Sequence, residues 1–104
     1  MVIAHRGAFG HFPEHSLGGY ADAYYSGVDF IEIDLQITKD GVLIAQHDAY
    51  LDKTTNILQN FEAFAERRRA DDRFYVADFS LAELKTLKRR QQYSQRSQEL
   101  NESF

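Results

Sequence analysis

The chain has 104 residues, 43% hydrophobic and 27% charged, a composition typical of globular proteins rather than disordered or membrane-spanning ones. Twelve basic against sixteen acidic side chains give a formal net charge of -4, which argues against a general binder of nucleic acid or anionic lipid, so any phosphate must be met locally. With no cysteine, disulfide scaffolds, thiolate zinc sites and cysteine nucleophiles are excluded, and no run approaches the ~20 apolar residues of a membrane span.

Val2-Ile3-Ala4 is a short apolar run that stops at His5-Arg6-Gly7, which predicts a buried strand with a histidine at its end. Because that run meets a histidine at once, no signal peptide is expected. Leu17, Tyr20, Ala21, Tyr24 and Val28 have helical spacing, with Ser16 as N-cap and Gly27 as the stop. Gly18 and Gly19 in the first turn each cost about 1 kcal/mol relative to alanine. Residues 30–38 alternate: Ile31, Ile33, Leu35 and Ile37 on one face, Phe30, Glu32, Asp34, Gln36 and Thr38 on the other. Asp40-Gly41 predicts a tight hairpin turn into the run Val42 to Ala45. Strand, helix and strand begin a βαβ unit with a parallel pair.

Further on, Ile57, Phe61, Phe64 and Ala65 are spaced for one helix ending in Arg67-Arg68-Arg69. Those arginines read as charge at a helix C-terminus, with a phosphate-binding patch as the alternative. Ser80-Leu81-Ala82-Glu83 is a capping box, flanked by Phe79 and Leu84 in staple positions, and Leu81, Leu84 and Leu87 give the helix its apolar stripe. From Gln91 onward the composition turns polar, which predicts a solvated helix extension or a disordered tail. No internal repeat is visible.

Glu32 and Asp34, two apart on a strand, point to one side with Cα atoms roughly 6.5 to 7 Å apart, close enough to converge on one ion. Oxygen ligands of this kind suit calcium or magnesium better than zinc. The bland alternative is the wet face of a half-exposed strand. A two-residue turn at Asp40-Gly41 sets Asp34 opposite His47; a three-residue turn shifts the register by one and sets Gln46 there instead. In the first register Glu32, Asp34 and His47 share a surface beside His5, supplying a cation clamp and an acid/base pair. Arg6 has the planar fork suited to phosphoryl oxygens, or pairs with a carboxylate; Gly7 lets backbone approach a ligand or only makes a turn. Glu14, His15 and Ser16 enter the helix where free amides can hold an anion.

His5-Arg6-Gly7, Pro13-Glu14, Glu32-Ile33-Asp34, Thr38-Lys39-Asp40-Gly41 and His47-Asp48, in that order, resemble the glycerophosphodiester phosphodiesterases. Tyr50 to Thr55 and Asp78 to Leu81 extend the likeness to the periplasmic bacterial subtype, over about residues 1 to 88. The resemblance implies an α/β fold that is the amino-terminal part of a (β/α)8 barrel: residues 1–50 its first βα units, 51–90 the start of an inserted subdomain, 91–104 a polar tail. It implies a divalent cation, Ca2+ or Mg2+, on Glu32 and Asp34, His5 and His47 as acid/base pair, and Arg6 on the phosphate. The reaction implied is hydrolysis of a small-molecule glycerophosphodiester to glycerol 3-phosphate and an alcohol, in the periplasm, or in the cytoplasm if the start is native. His15 and Ser16 stand where the family usually has asparagine and threonine, and the later strand that carries another metal-binding glutamate has no counterpart here. With two carboxylates and most of the barrel absent, the chain by itself is expected to be inactive; the alternatives are a segment that acts only through an open sheet edge or as a homo-oligomer, and a related phospholipase D-like lipid phosphodiesterase.

Overall fold

A computed structural model of the chain describes residues 1–8, 10–59, 61–96 and 98–102. Strand β1 (Ile3–Ala4) leads through helix α1 (Leu17–Tyr25) to β2 (Phe30–Ile31), and β1 and β2 pair in parallel with Ile3 beside Phe30 and Ala4 beside Ile31. The crossover by a helix makes this the expected βαβ start. Ser16 caps α1 by accepting from the Gly19 amide, and Gly27 follows at φ +76°, so both helix-end signals read from the sequence operate.

The alternating stretch 30–38 is not one strand but an extended segment with two successive partners. Its first part pairs with β1, ending where the Glu32 amide donates to the Ala4 carbonyl at 2.9 Å; its second part, β3 (Leu35–Ile37), pairs antiparallel with β4 (Leu43–Ala45). The alternation survives with its faces inverted relative to the wet-face reading. Ile33, Leu35 and Ile37 are 54–56% exposed, whereas Glu32, Asp34 and Gln36 are half-buried.

The hairpin has three loop residues, Lys39, Asp40 and Gly41, not two. Thr38 N–H donates to Val42 O at 2.9 Å, Gly41 N–H donates to Thr38 O at 3.0 Å, and Gly41 is left-handed at φ +82°. The loop takes this shape because it docks: Lys39 N–H donates to Phe79 O at 2.8 Å, and Asp40 Oδ1 accepts from Leu81 N–H at 3.1 Å. Leu35 therefore pairs with Ala45 and Gln36 with Ile44, and the Gln46 amide donates to Asp34 O at 2.9 Å. His47 is not opposite Asp34.

The apolar core lies in the second half of the chain: Leu51, Ile57, Phe74, Val76 and Phe79 are buried, with Ile44, Phe64, Leu84 and Leu87 packed around them. The helix expected over Ile57 to Ala65 is a pair of 3-10 segments, Ile57–Gln59 and Phe61–Arg67; the side chain of Phe61 lies outside the described residues. Three residues per turn aligns positions i and i+3, which lays the Arg67 guanidinium 5.4 Å from the Phe64 ring centre and 5.3 Å from that of Phe79. Arg67 also pairs with Glu83, and Arg69 grips Asp78 with two bonds of 2.7 and 2.9 Å. The arginine run thus braces residues 67–83 rather than ending an α-helix.

The capping box forms as expected, Glu83 N–H donating to Ser80 Oγ and Ser80 N–H to Glu83 Oε1. Helix α2 (Leu81–Leu84) stops after one turn, because the following backbone is claimed by residues 54–56: Asn56 N–H donates to Lys88 O, Lys88 N–H to Asn56 Oδ1, and Arg90 N–H to Thr54 O, all within 3.0 Å. The described residues 91–96 and 98–102 contain turns and bends but no helix; Gln91 is buried and its side-chain amide donates to Phe12 O at 3.3 Å. Among the described residues no helix is long and apolar enough to cross a membrane.

The Arg67 bond, then the Ser80 backbone bond, hold the Glu83 carboxyl at about 2, below its ordinary value. A carboxyl with a depressed folded value contributes stability that is complete above the unfolded value and lost as pH falls through the folded one. Thermal melts of Glu83→Gln are therefore expected to start lower at neutral pH and to converge on the parent between pH 4.5 and 2; a constant gap across that range would refute the assignment.

Candidate active site

The turn at the end of β1 builds the site. Arg6 and Gly7 are successive left-handed residues, φ +61° and +87°, and His15 is a third at +54°. The His15 amide donates to Arg6 O at 2.9 Å, and Ala8 N–H donates to Gly19 O at 3.0 Å, so the β1 turn is fastened to the entry of α1. A Cβ on Gly7 would sit 3.1 to 3.3 Å from the backbone of Gly19 and Tyr20, and one on Gly19 only 3.0 Å from Ser16 Oγ. Glycine stands in the first turn of α1, costly for a helix, because a Cβ there would crowd the capping Ser16 hydroxyl and, at 3.2 Å, the Phe12 Cβ.

This packing turns the Arg6 side chain inward. Its Nη1 donates to Glu14 Oε2 at 2.8 Å, and its Nε lies 3.7 Å from Asp34 Oδ2. Glu14 is only 2% exposed. Its other oxygen accepts from the Gln92 amide, contributed by the polar tail. His5, beside Glu32 in the parallel register, has Nε2 3.5 Å from Glu32 Oε1, and both side chains remain about half exposed.

Asp34 also meets an imidazole. His15, whose side chain is wholly buried, places Nε2 3.2 Å from Asp34 Oδ2, and its Nδ1 is hydrogen-bonded to the Tyr20 hydroxyl. Burial pushes His15 down to about 4 against the opposing pull of Asp34, and burial raises Tyr20 to about 12, so both rings are neutral near pH 7. Arg89 is also drawn into the interior, donating to Gln46 Oε1 and Ala45 O. Burial lowers its proton affinity, opposed by Glu14 and Tyr20.

Of the residues singled out in the sequence, the structure brings His5 to Glu32 and Arg6 to Glu14 and Asp34. The His47 ring is hydrogen-bonded instead to the neighbouring Asp48, Nδ1 to Oδ1 2.7 Å, while the His47 carbonyl accepts from Gln36 Nε2 at 3.0 Å. Sequence reasoning missed His15 as a partner of Asp34, Gln92 as a partner of Glu14, and Arg89. For His15 a signal existed: histidine stands where the resembled family usually has asparagine. Glu32 and Asp34 offer the hard oxygen donors a divalent cation takes, each partly open to solvent, and so fit one in chemistry. Among the described residues no group of three or more His, Asp or Glu is arranged to hold a metal, so two carboxylates supply at most part of a coordination shell.

The glycerophosphoryl diester phosphodiesterase family model matches residues 5–103, and the chain belongs to that family. The match runs beyond Arg90 into the polar tail, past the limit read from the motifs. Relatives include glycerophosphodiester phosphodiesterase GDPD6 of Arabidopsis thaliana, 43% identical over 98% of this chain, and the glycerophosphodiester phosphodiesterase of Haemophilus influenzae, 45% identical over 84%. The chain spans only 29% and 23% of their respective lengths. The crystal structure of glycerophosphodiester phosphodiesterase from Agrobacterium tumefaciens superposes with a TM-score of 0.64 at 31% identity, covering 83% of this chain and 31% of that one. A putative glycerophosphoryl diester phosphodiesterase from Silicibacter pomeroyi gives 0.66 at 29% identity, covering 88% and 29%. The fold is accordingly α/β and corresponds to part of those proteins.

The close approach at Gly7 yields a direct test. Gly7→Ala is expected to destabilise the chain by about 1–3 kcal/mol in urea titration, from the left-handed backbone and the collision with α1; a loss below about 0.5 kcal/mol would show that the two backbones are not locked together.

Proposed function

We propose that this chain is the amino-terminal, site-bearing part of an enzyme that hydrolyses glycerophosphodiesters to glycerol 3-phosphate and an alcohol, built as the first βα units of a (β/α)8 barrel. The observation that carries the reading is the two pairs, His5 with Glu32 and Arg6 with Asp34, formed just beyond the ends of the adjacent strands β1 and β2 in a chain of this family. In barrels of this kind chemistry sits at the carboxyl ends of the strands.

Glu32 and Asp34 would hold Ca2+ or Mg2+, which when bound supplies positive charge against the phosphoryl oxygens. Arg6, its fork oriented by Glu14, adds fixed positive charge beside Asp34. His5, kept next to Glu32 and reachable from solvent, takes the proton of the attacking nucleophile. His47 has Nδ1 bonded to Asp48, which leaves Nε2 to protonate the departing alkoxide as its bond to phosphorus breaks. Overall one water is consumed: its oxygen ends on phosphorus and the alcohol leaves protonated.

The isolated chain should not turn over. Ile33, Leu35 and Ile37, on the face opposite the carboxylates, are more than half exposed, and the chain covers under a third of its relatives. Grafting its matched segment in place of the corresponding part of the Haemophilus influenzae relative is expected to give release of glycerol 3-phosphate from glycerophosphocholine in calcium or magnesium. His5→Ala, His47→Ala and the double change Glu32→Ala/Asp34→Ala should each lower that rate by about 100-fold or more. A folded but inactive graft, unimpaired alanine variants, or robust turnover by the 104-residue chain alone would each contradict the reading.

A further inference from the structure

We propose that His15 is a positioning residue for Asp34, with Tyr20, His15 and Asp34 forming a directed hydrogen-bond chain that holds one carboxylate oxygen and presents the other. The proposal deepens the reading of Asp34 as a ligand for a cation and rests on it for its purpose, though not for its geometry.

Three observations carry it. Both close contacts of the Asp34 carboxylate fall on one atom: His15 Nε2 at 3.2 Å and Arg6 Nε at 3.7 Å approach Oδ2. An anchored Oδ2 fixes the plane of the carboxylate and leaves Oδ1 for a ligand, in a side chain that is itself one-third exposed. Next, the imidazole is wholly enclosed and sits on a left-handed backbone, φ +54°, a conformation uncommon outside glycine that histidine adopts more readily than most residues. Last, the partners dictate the direction of the chain. In a neutral ring, a carboxylate facing Nε2 requires the proton there, since a lone pair would be repelled, and Nδ1 then accepts from the Tyr20 O–H. Tyr20 stands on the first turn of α1, so the helix sets the tautomer and the tautomer sets the carboxylate.

Long-range 1H–15N and carboxyl 13C NMR of the full chain read this directly. His15 should be the neutral form protonated on Nε2; Tyr20→Phe should move the Asp34 carboxyl signal, although residue 20 touches no atom of Asp34 in the proposed chain. His15→Gln, whose amide nitrogen can replace Nε2 as donor, should restore that signal, and His15→Leu should not. In a parallel Mg2+ titration, His15→Leu should weaken the Asp34 response by about tenfold and His15→Gln by much less. A proton on Nδ1, or an Asp34 signal indifferent to Tyr20→Phe and His15→Leu in variants of parental circular dichroism, would overturn the proposal. An Asp34 carboxyl that obeys the tautomer rule yet ignores Mg2+ in the parent would uphold the positioning chain and count instead against the cation reading.

Discussion

A carboxylate with almost no access to water has to be paired, and in this chain the pairing of Glu14 with Arg6 decides where the neighbouring groups go. To reach Glu14, the chain must leave β1 through two consecutive left-handed residues, and the loop before α1 must turn left-handed at His15 to accept the fit. Those turns put the Arg6 fork against Asp34 and bury the His15 ring behind it. The second oxygen of Glu14 is covered by Gln92, so a residue distant in sequence completes the enclosure.

The apolar core is elsewhere, among Leu51, Ile57, Phe74, Val76 and Phe79. The site is therefore ordered by polar contacts, while the core anchors the docking platform for the hairpin through Phe79 and Leu81. Arg89 ties the two regions by bonding the end of β4 from within. Buried polar networks of this sort are costly when incomplete, which makes them specific for one arrangement. One face of the 33–37 segment is apolar and exposed.

Local signals were legible in the sequence because their physics is local. Ser16 and the Ser80–Glu83 box cap helices through bonds within three residues, and the parallel strand pair follows from a strand, a helix and a strand in succession. The hairpin register was not decided by Asp40-Gly41, because the turn is shaped by contacts to Phe79 and Leu81, some forty residues away. The same limit hid the short α2, stopped by bonds to residues 54–56, and the partners Gln92 and Arg89, whose roles depend on how the chain returns. Glu32 and Asp34 were readable as a same-side pair, since the two-residue period of an extended chain held even where the strand changed partners.

The central claim is that Arg6 and Glu14 act as a unit that organises the site. A double-mutant cycle with Arg6→Met and Glu14→Gln, followed by urea unfolding, tests it most directly. The account predicts single losses that do not add, with a coupling of at least about 2 kcal/mol. Additivity to within about 0.5 kcal/mol would contradict it.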